Sequence, residues 1–294
     1  MVRAADSAAS VPSNGDAWRP PARRIKFGGS TVRVATWGQG PPLLLLNGIG
    51  GNIEMWEPLA RRLLGRRLVM LDMPGTGASP ALPVAMRMAG YARLVVRVLD
   101  QFGIEQIDVL GYSWGGALAQ QLAHAVPSRV RSLVLAATMP GLGGQPPAPW
   151  VIALMATPAR YYSRTYLRLV APLVFGSNPS TAADSASGHA RLRRPPTLLG
   201  YSQQLYAITG WSSRAWLRGL RMPVLVVAGR HDPLIPRRNG RILSRSIPGA
   251  RLRVVEGGHL FLLEQPDEGC RVISEFLQEQ DHGGAQRVGV RSIT

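Results

Sequence analysis

Residues 107–120, IDVLGYSWGGALAQ, join an apolar run to a run of small residues through the turn Gly111-Tyr-Ser-Trp-Gly-Gly116. Tight turns usually recruit Asn, Asp, Gly or Pro where the backbone angles are unusual. This one centres on Ser113, with an aromatic on each side and glycines beyond. A strand that ends in Gly-x-Ser-x-Gly and passes at once into a helix is a nucleophile elbow. The serine takes a strained backbone angle, and only small residues at Gly111 and Gly115 let strand and helix approach so closely. The strain exposes a hydroxyl at the amino end of a helix, where backbone N–H groups also face the substrate.

Outward from the elbow, short Leu-rich or β-branched runs alternate with amphipathic segments, the pattern of a mostly parallel sheet covered by helices on both faces. The expected strands are 31–37, 42–47, 67–72, 107–111, 132–137, 223–229 and 251–257, with helices near 53–64, 89–102, 114–126, 238–246 and 266–279. Uninterrupted runs such as the LLLL of 43–46 call for burial on both sheet faces. From Met139 to Gly219 the alternation stops, and Pro-rich, aromatic and amphipathic pieces follow. That length between two strands reads as a helical cap inserted over the sheet's carboxyl edge. Trp150, Tyr161, Tyr162, Tyr166, Phe175, Tyr201, Tyr206, Trp211 and Trp216 would form an apolar ceiling, most of them chiefly holding cap to core. The expected organisation is a flexible tail over 1–24, a core made of 25–138 and 220–280, the cap over 139–219, and a second flexible tail over 281–294.

The 294 residues, 46% hydrophobic, suffice for a large core. The single cysteine, Cys270, excludes an internal disulfide, so nothing argues for an oxidising compartment. The first residues lack the apolar core of a secretory signal, and no segment approaches the roughly 20 apolar residues of a membrane span, so a soluble protein without a transmembrane segment is expected. The formal net charge of +17 invites a nucleic-acid reading. The arginines are spread over the whole chain, however, without a stripe or interleaved aromatics, and Lys26 is the only lysine. Codon bias explains that better than a binding face, and no nucleic-acid partner is expected.

A serine hydroxyl is a poor nucleophile without a base, so Ser113 requires a histidine and an orienting carboxylate in the order Ser, acid, His. Of His124, His189, His231, His259 and His282, only His259 follows a strand and a Gly-Gly loop and precedes a helix, which puts it at the sheet's carboxyl edge. Asp232, in a turn bounded by Pro233 and Pro236, ends the preceding strand and is the expected acid; the adjacent His231 competes as base. Asp72 also ends a strand but precedes the serine, and reads as a structural residue of a turn that shapes the pocket wall. The oxyanion needs two N–H donors. The amide of Trp114 is one, and the amide of Ile49, in the Gly-rich loop NGIGG (47–51), is the other. Asn47, Gly48 and Met139 are the expected substrate-binding residues.

With these residues the sequence resembles the α/β-hydrolase superfamily. More narrowly, LLLLNGIGGNIEMWEPL, SWGGALAQQLAH, VLAATMPG, DPLIP and GGHLFLLEQP resemble the intracellular depolymerases of medium-chain-length poly(3-hydroxyalkanoates), from about Arg33 to Phe276. The resemblance implies the α/β-hydrolase fold with Ser113, Asp232 and His259 as triad. It is closer for having Asn47-Gly48 where many α/β-hydrolases have His-Gly, and for Trp114 in the elbow. It further implies acyl transfer on a polyester or lipid-like ester without metal or organic cofactor, in the cytoplasm, with attachment to polymer granules and oligomeric state left open. A carboxylesterase or lipase, a cofactor-free perhydrolase, and a non-catalytic granule-surface or nucleic-acid-binding protein on the same fold are the competing readings.

Overall fold

The computed structural model describes residues 18–289, and side chains as far as His282. Eight strands, β1 (Ala22–Phe27), β2 (Ser30–Trp37), β3 (Pro42–Leu46), β4 (Arg67–Leu71), β5 (Ile107–Tyr112), β6 (Val130–Ala136), β7 (Val224–Gly229) and β8 (Arg251–Val255), form one sheet in the order β1-β2-β4-β3-β5-β6-β7-β8. β1 with β2 and β2 with β4 are antiparallel, and the remaining pairs are parallel. Strand periodicity divides the core in two. Leu43 and Leu45 of β3 join one buried cluster, with Leu110, Val134 and Leu225; Leu44 and Leu46 join the other, with Val109, Leu133 and Val226. All four leucines are fully buried, each contributing about 2 kcal/mol by removal from water.

Helices α1 (Glu57–Ala60), α2 (Met88–Gln101) and α3 (Trp114–Ala125) follow strands of the first half, and α9 (Arg238–Ser246), α10 (Phe261–Glu264) and α11 (Pro266–Gly289) complete the second. α2, α3 and α9 cover one face, while α1, α10 and α11 cover the other. Between β6 and β7 the chain inserts α4 (Pro149–Met155), α5 (Arg164–Phe175), α6 (Pro179–Asp184), α7 (Ala186–Arg193) and α8 (Leu198–Ile208). α5 begins with Ser163 accepting from the Tyr166 amide and ends on Gly176 in the left-handed conformation, ordinary helix start and stop signals.

Three expectations are corrected. The flexible tail expected over 1–24 ends earlier: Trp18 is buried edge-to-face on Trp37, and β1 begins at Ala22. β1 escapes a periodicity reading because, of its six residues, only Ile25 is buried; it is held as an edge strand by the two-residue turn at Gly28 and Gly29, both at positive φ. Residues 1–17 lie outside the described residues. In place of the flexible tail expected from residue 281, α11 continues to Gly289, and Asp281 is ion-paired to Arg66 and Arg131. These arginines also hold the fully buried Asp108, so the last helix is tied to β5 and β6 by charge as well as packing. Residues 290–294 lie outside the described residues. Lastly, the helix expected over 53–64 is a short 3₁₀ turn, Ile53–Trp56, followed by the four residues of α1.

Among the described residues, no helix is long and apolar enough to cross a membrane.

Candidate active site

Ser113 sits between β5 and α3 at φ 55°, ψ −119°, a conformation costing an L-residue on the order of 1–3 kcal/mol. The neighbouring glycines explain why the turn closes. A Cβ on Gly111 would meet the carbonyl of Gly115 at 2.5 Å, and one on Gly115 would meet the carbonyl of Leu46 at 2.1 Å. The turn is fixed by the Ser113 amide donating to the Ala136 carbonyl (2.9 Å) and by the Thr138 hydroxyl donating to the Ser113 carbonyl (2.8 Å).

His259 and Asp232 reach the serine from the other half of the chain. Nε2 of His259 lies 3.0 Å from Oγ of Ser113, and its Nδ1 lies 2.7 Å from Oδ2 of Asp232. The second oxygen of Asp232 accepts from the amides of Leu234 (2.9 Å) and Ile235 (2.8 Å), so the carboxylate is aimed by its own turn. The His259 backbone is clamped on both sides. Its amide donates to the Phe175 carbonyl (2.6 Å), and its carbonyl accepts from the Tyr112 hydroxyl (2.7 Å). Burial pushes the Tyr112 phenol well above its ordinary range, which keeps this donor protonated. The imidazole lies between the rings of Tyr112 and Phe175, with centroids at 5.3 and 6.0 Å.

The amides of Ile49 and Trp114 make no intramolecular hydrogen bond among the described residues. Both residues flank the serine, one in the loop after β3 and one at the start of α3, as an oxyanion site requires. Their positions depend on the insertion. Gln204 of α8 accepts from the Gly50 amide through its side chain (2.9 Å) and from the Trp114 indole through its backbone carbonyl (3.0 Å), and the Tyr161 hydroxyl donates to the Ile49 carbonyl. The Ile49-Gly50 peptide is thereby pinned at both ends. Gln204 and Tyr161 carry no local signature of this role; only the docking of the insertion reveals it.

Of the expected substrate-binding residues, Asn47 and Gly48 line the cavity at Ser113 together with His259, and Met139 does not. Met139 lies beyond β6, where its carbonyl accepts from Gln120. The amide side chain of Asn47 is consumed within its loop, accepting from Gly48 and donating to the Asn52 carbonyl (both 2.9 Å), so its direct work is to shape the loop. Asp72 lies outside this cavity lining as well: it is fully buried and gathers the amides of Ile53 and Ala78 with Arg33, a turn-forming role. His231 is exposed and pairs with Glu256, away from the serine, while His124 stacks on Trp216 and His189 bonds its own helix. Of the nine aromatics expected as an apolar ceiling, only Tyr161 and Phe175 line the cavity, and two buried arginines, Arg160 and Arg191, line it with them. The free space there is about 20 Å³, room for one water.

A strained serine, a histidine and a buried carboxylate in line, on a mostly parallel sheet with an insertion after β6, have the arrangement of a hydrolase site of the α/β type. A family model described as the alpha/beta hydrolase fold matches residues 41–266, and the chain belongs to that family. It is 38% identical to the poly(3-hydroxyalkanoate) depolymerase of Ectopseudomonas oleovorans over 88% of this chain and 93% of that protein. It is 31% identical to a pimeloyl-[acyl-carrier protein] methyl ester esterase of Aeromonas hydrophila, over 84% of this chain and 99% of the esterase. Among solved structures, a hydrolase from Pseudomonas aeruginosa superposes with a TM-score of 0.75 at 26% identity, covering 90% of this chain and 99% of that one.

Proposed function

We propose that this protein is a serine esterase that hydrolyses poly(3-hydroxyalkanoate) or its oligomers, with medium-length side chains. The observation that carries the reading is the hydrogen-bonded line from Ser113 through His259 to Asp232, set beside two amides with no acceptor of their own. His259 removes the proton of Ser113 as Oγ attacks the ester carbonyl. The amides of Ile49 and Trp114 receive the oxyanion, and Asp232 holds the imidazole tautomer with its free nitrogen toward the serine. The ester C–O bond then breaks, the leaving alkoxide takes the proton from His259, and water activated by the same histidine releases the acyl group.

The polyester substrate is supported by the 38% identity to a depolymerase and by the surface of the insertion. Of eleven exposed large hydrophobic side chains among the described residues, nine belong to 142–206, including Trp150, Ile152, Leu169, Leu173, Leu198 and Leu199. Apolar side chains gathered on the segment that covers the site suit contact with a water-insoluble polymer. On this reading the protein works in the cytoplasm at a granule surface.

The test is hydrolysis of p-nitrophenyl esters from acetate to hexadecanoate beside amorphous medium- and short-chain polymer granules, with Ser113→Ala as control. Clearing of medium-chain granules, an optimum near octanoate and loss of both in the control are expected. Ester turnover without granule clearing moves the function to a general carboxylesterase, in keeping with the esterase relative. Retention of activity by Ser113→Ala removes the triad reading altogether.

A further inference from the structure

The cavity at Ser113 contains a cation whose donors are unused. Arg191 of α7 is 3% exposed, and its Nε and Nη1 are buried without a hydrogen-bond partner. It has no ion pair among the described residues; what it touches are ring faces, Phe175 at 5.1 Å and Tyr161 at 5.4 Å. The second cavity arginine, Arg160, also leaves its Nε unpartnered, but its Nη1 donates to the Thr157 carbonyl and its Nη2 to the Tyr201 hydroxyl, both at 2.8 Å, so its fork is engaged within the insertion. Glu264 is the buried carboxylate whose field reaches Arg191, yet it lies beyond ion-pair distance and leaves its own Oε1 unpaired. A buried guanidinium with free N–H groups is costly to the fold and is a ready receptor for a planar anion, because its fork matches a carboxylate in two parallel hydrogen bonds.

We propose that Arg191 binds the carboxylate of an acid-ended ester, so that the enzyme cleaves its substrate from the carboxyl terminus. The proposal rests on the polyester reading above and narrows it. In a linear oligomer of a 3-hydroxy acid, the one free carboxylate lies on the alcohol side of the last ester bond. The group held by Arg191 is therefore the leaving unit. When the bond between carbonyl carbon and ester oxygen breaks, the new bond joins that carbon to Ser113 Oγ. The departing oxygen takes its proton from His259, and a 3-hydroxy acid leaves with its carboxylate on Arg191. Water then hydrolyses the acyl-enzyme and frees an oligomer shorter by one unit.

The experiment compares the dimer of 3-hydroxyoctanoate as free acid with the same dimer whose terminal carboxyl is a primary amide, neutral and resistant to esterase chemistry. Wild type is expected to favour the free acid at least tenfold in kcat/KM, and in Arg191→Met that ratio is expected to fall to about one, with Arg191→Lys between. A wild-type ratio near one overturns the proposal, as does a variant that lowers both rates while keeping the ratio. A second measurement needs no variant: inhibition of p-nitrophenyl octanoate hydrolysis by 3-hydroxyoctanoate and by 3-hydroxyoctanamide. The acid is expected to inhibit at least tenfold more tightly, and equal inhibition overturns the proposal. If neither dimer is cleaved but the p-nitrophenyl ester is, and Ser113→Ala is inactive, the polymer reading fails while this inhibition still decides the role of Arg191.

Discussion

The side chain of Gln204 accepts the amide hydrogen of Gly50 at 2.9 Å, which couples α8 of the insertion to the loop beside Ser113. The backbone carbonyl of Gln204 also accepts from the Trp114 indole, so one residue touches both residues proposed to hold the oxyanion or their neighbours. Gln204→Leu should lower kcat on p-nitrophenyl octanoate by on the order of 10²-fold, the cost of displacing a catalytic group by about 1 Å. KM should change less. A loss confined to KM would assign Gln204 to substrate binding alone.

Asp232 receives two backbone amides besides His259, so its replacement by Asn keeps the turn's shape while favouring the wrong imidazole tautomer. Asp232→Asn should lose on the order of 10⁴-fold in kcat with little change in melting temperature. Burst kinetics with p-nitrophenyl acetate, beside a thermal melt, check both parts; activity within tenfold of wild type would discard Asp232 as the orienting acid.

Burial raises the Glu264 carboxyl from 4.5 to about 7. Between these values the folded state binds the proton more tightly than the unfolded chain does. The stabilisation is therefore fully present below pH 4.5 and lost as the pH rises to about 7. Glu264→Gln should flatten the stability profile over that window and leave its slope at higher pH unchanged. Urea melts at half-unit steps from pH 5 to 8 measure the difference; parallel profiles for wild type and variant would contradict it.

Asp281 balances Arg66 and Arg131 around the buried Asp108. Removing it leaves two cations facing one carboxylate, partly buried. Asp281→Ala should cost about 1–2 kcal/mol, read as a lower urea midpoint at unchanged m value. A midpoint equal to wild type would make the pairing at the start of the supposed tail energetically idle.

Leu169 and Leu173 lie one turn apart on α5 and are both exposed. The double change to Glu should reduce the ratio of granule clearing to soluble-ester turnover by at least fivefold. An unchanged ratio would move polymer contact away from this helix.

Much of the molecule was legible in the chain because its signals are local. Burial of LLLL on both sheet faces, the glycines around Ser113 and the Pro-flanked turn at Asp232 each depend on residues a few positions apart, and each has the form expected in the structure. β1 and the continuation of α11 were not legible, since an edge strand with one buried residue and a helix rich in polar residues carry little periodic hydrophobicity. Met139 was misplaced for a related reason: its nearness in sequence to β6 says nothing about which way the chain turns after the strand.

The sequence by itself determined the nucleophile elbow, the order of serine, acid and histidine, and a parallel sheet interrupted by an insertion, because backbone sterics and side-chain periodicity act over one turn or one strand. Only the tertiary structure decided what faces the serine. Arg160, Tyr161, Arg191 and Gln204 look in sequence like ordinary members of amphipathic segments, and 28 or more positions separate each from Ser113, Asp232 and His259 in the chain. Their burial, and hence the chemistry of their unpaired or spanning donors and acceptors, arises when the insertion folds over the sheet, since desolvation depends on every element packed around a group and on none of them alone.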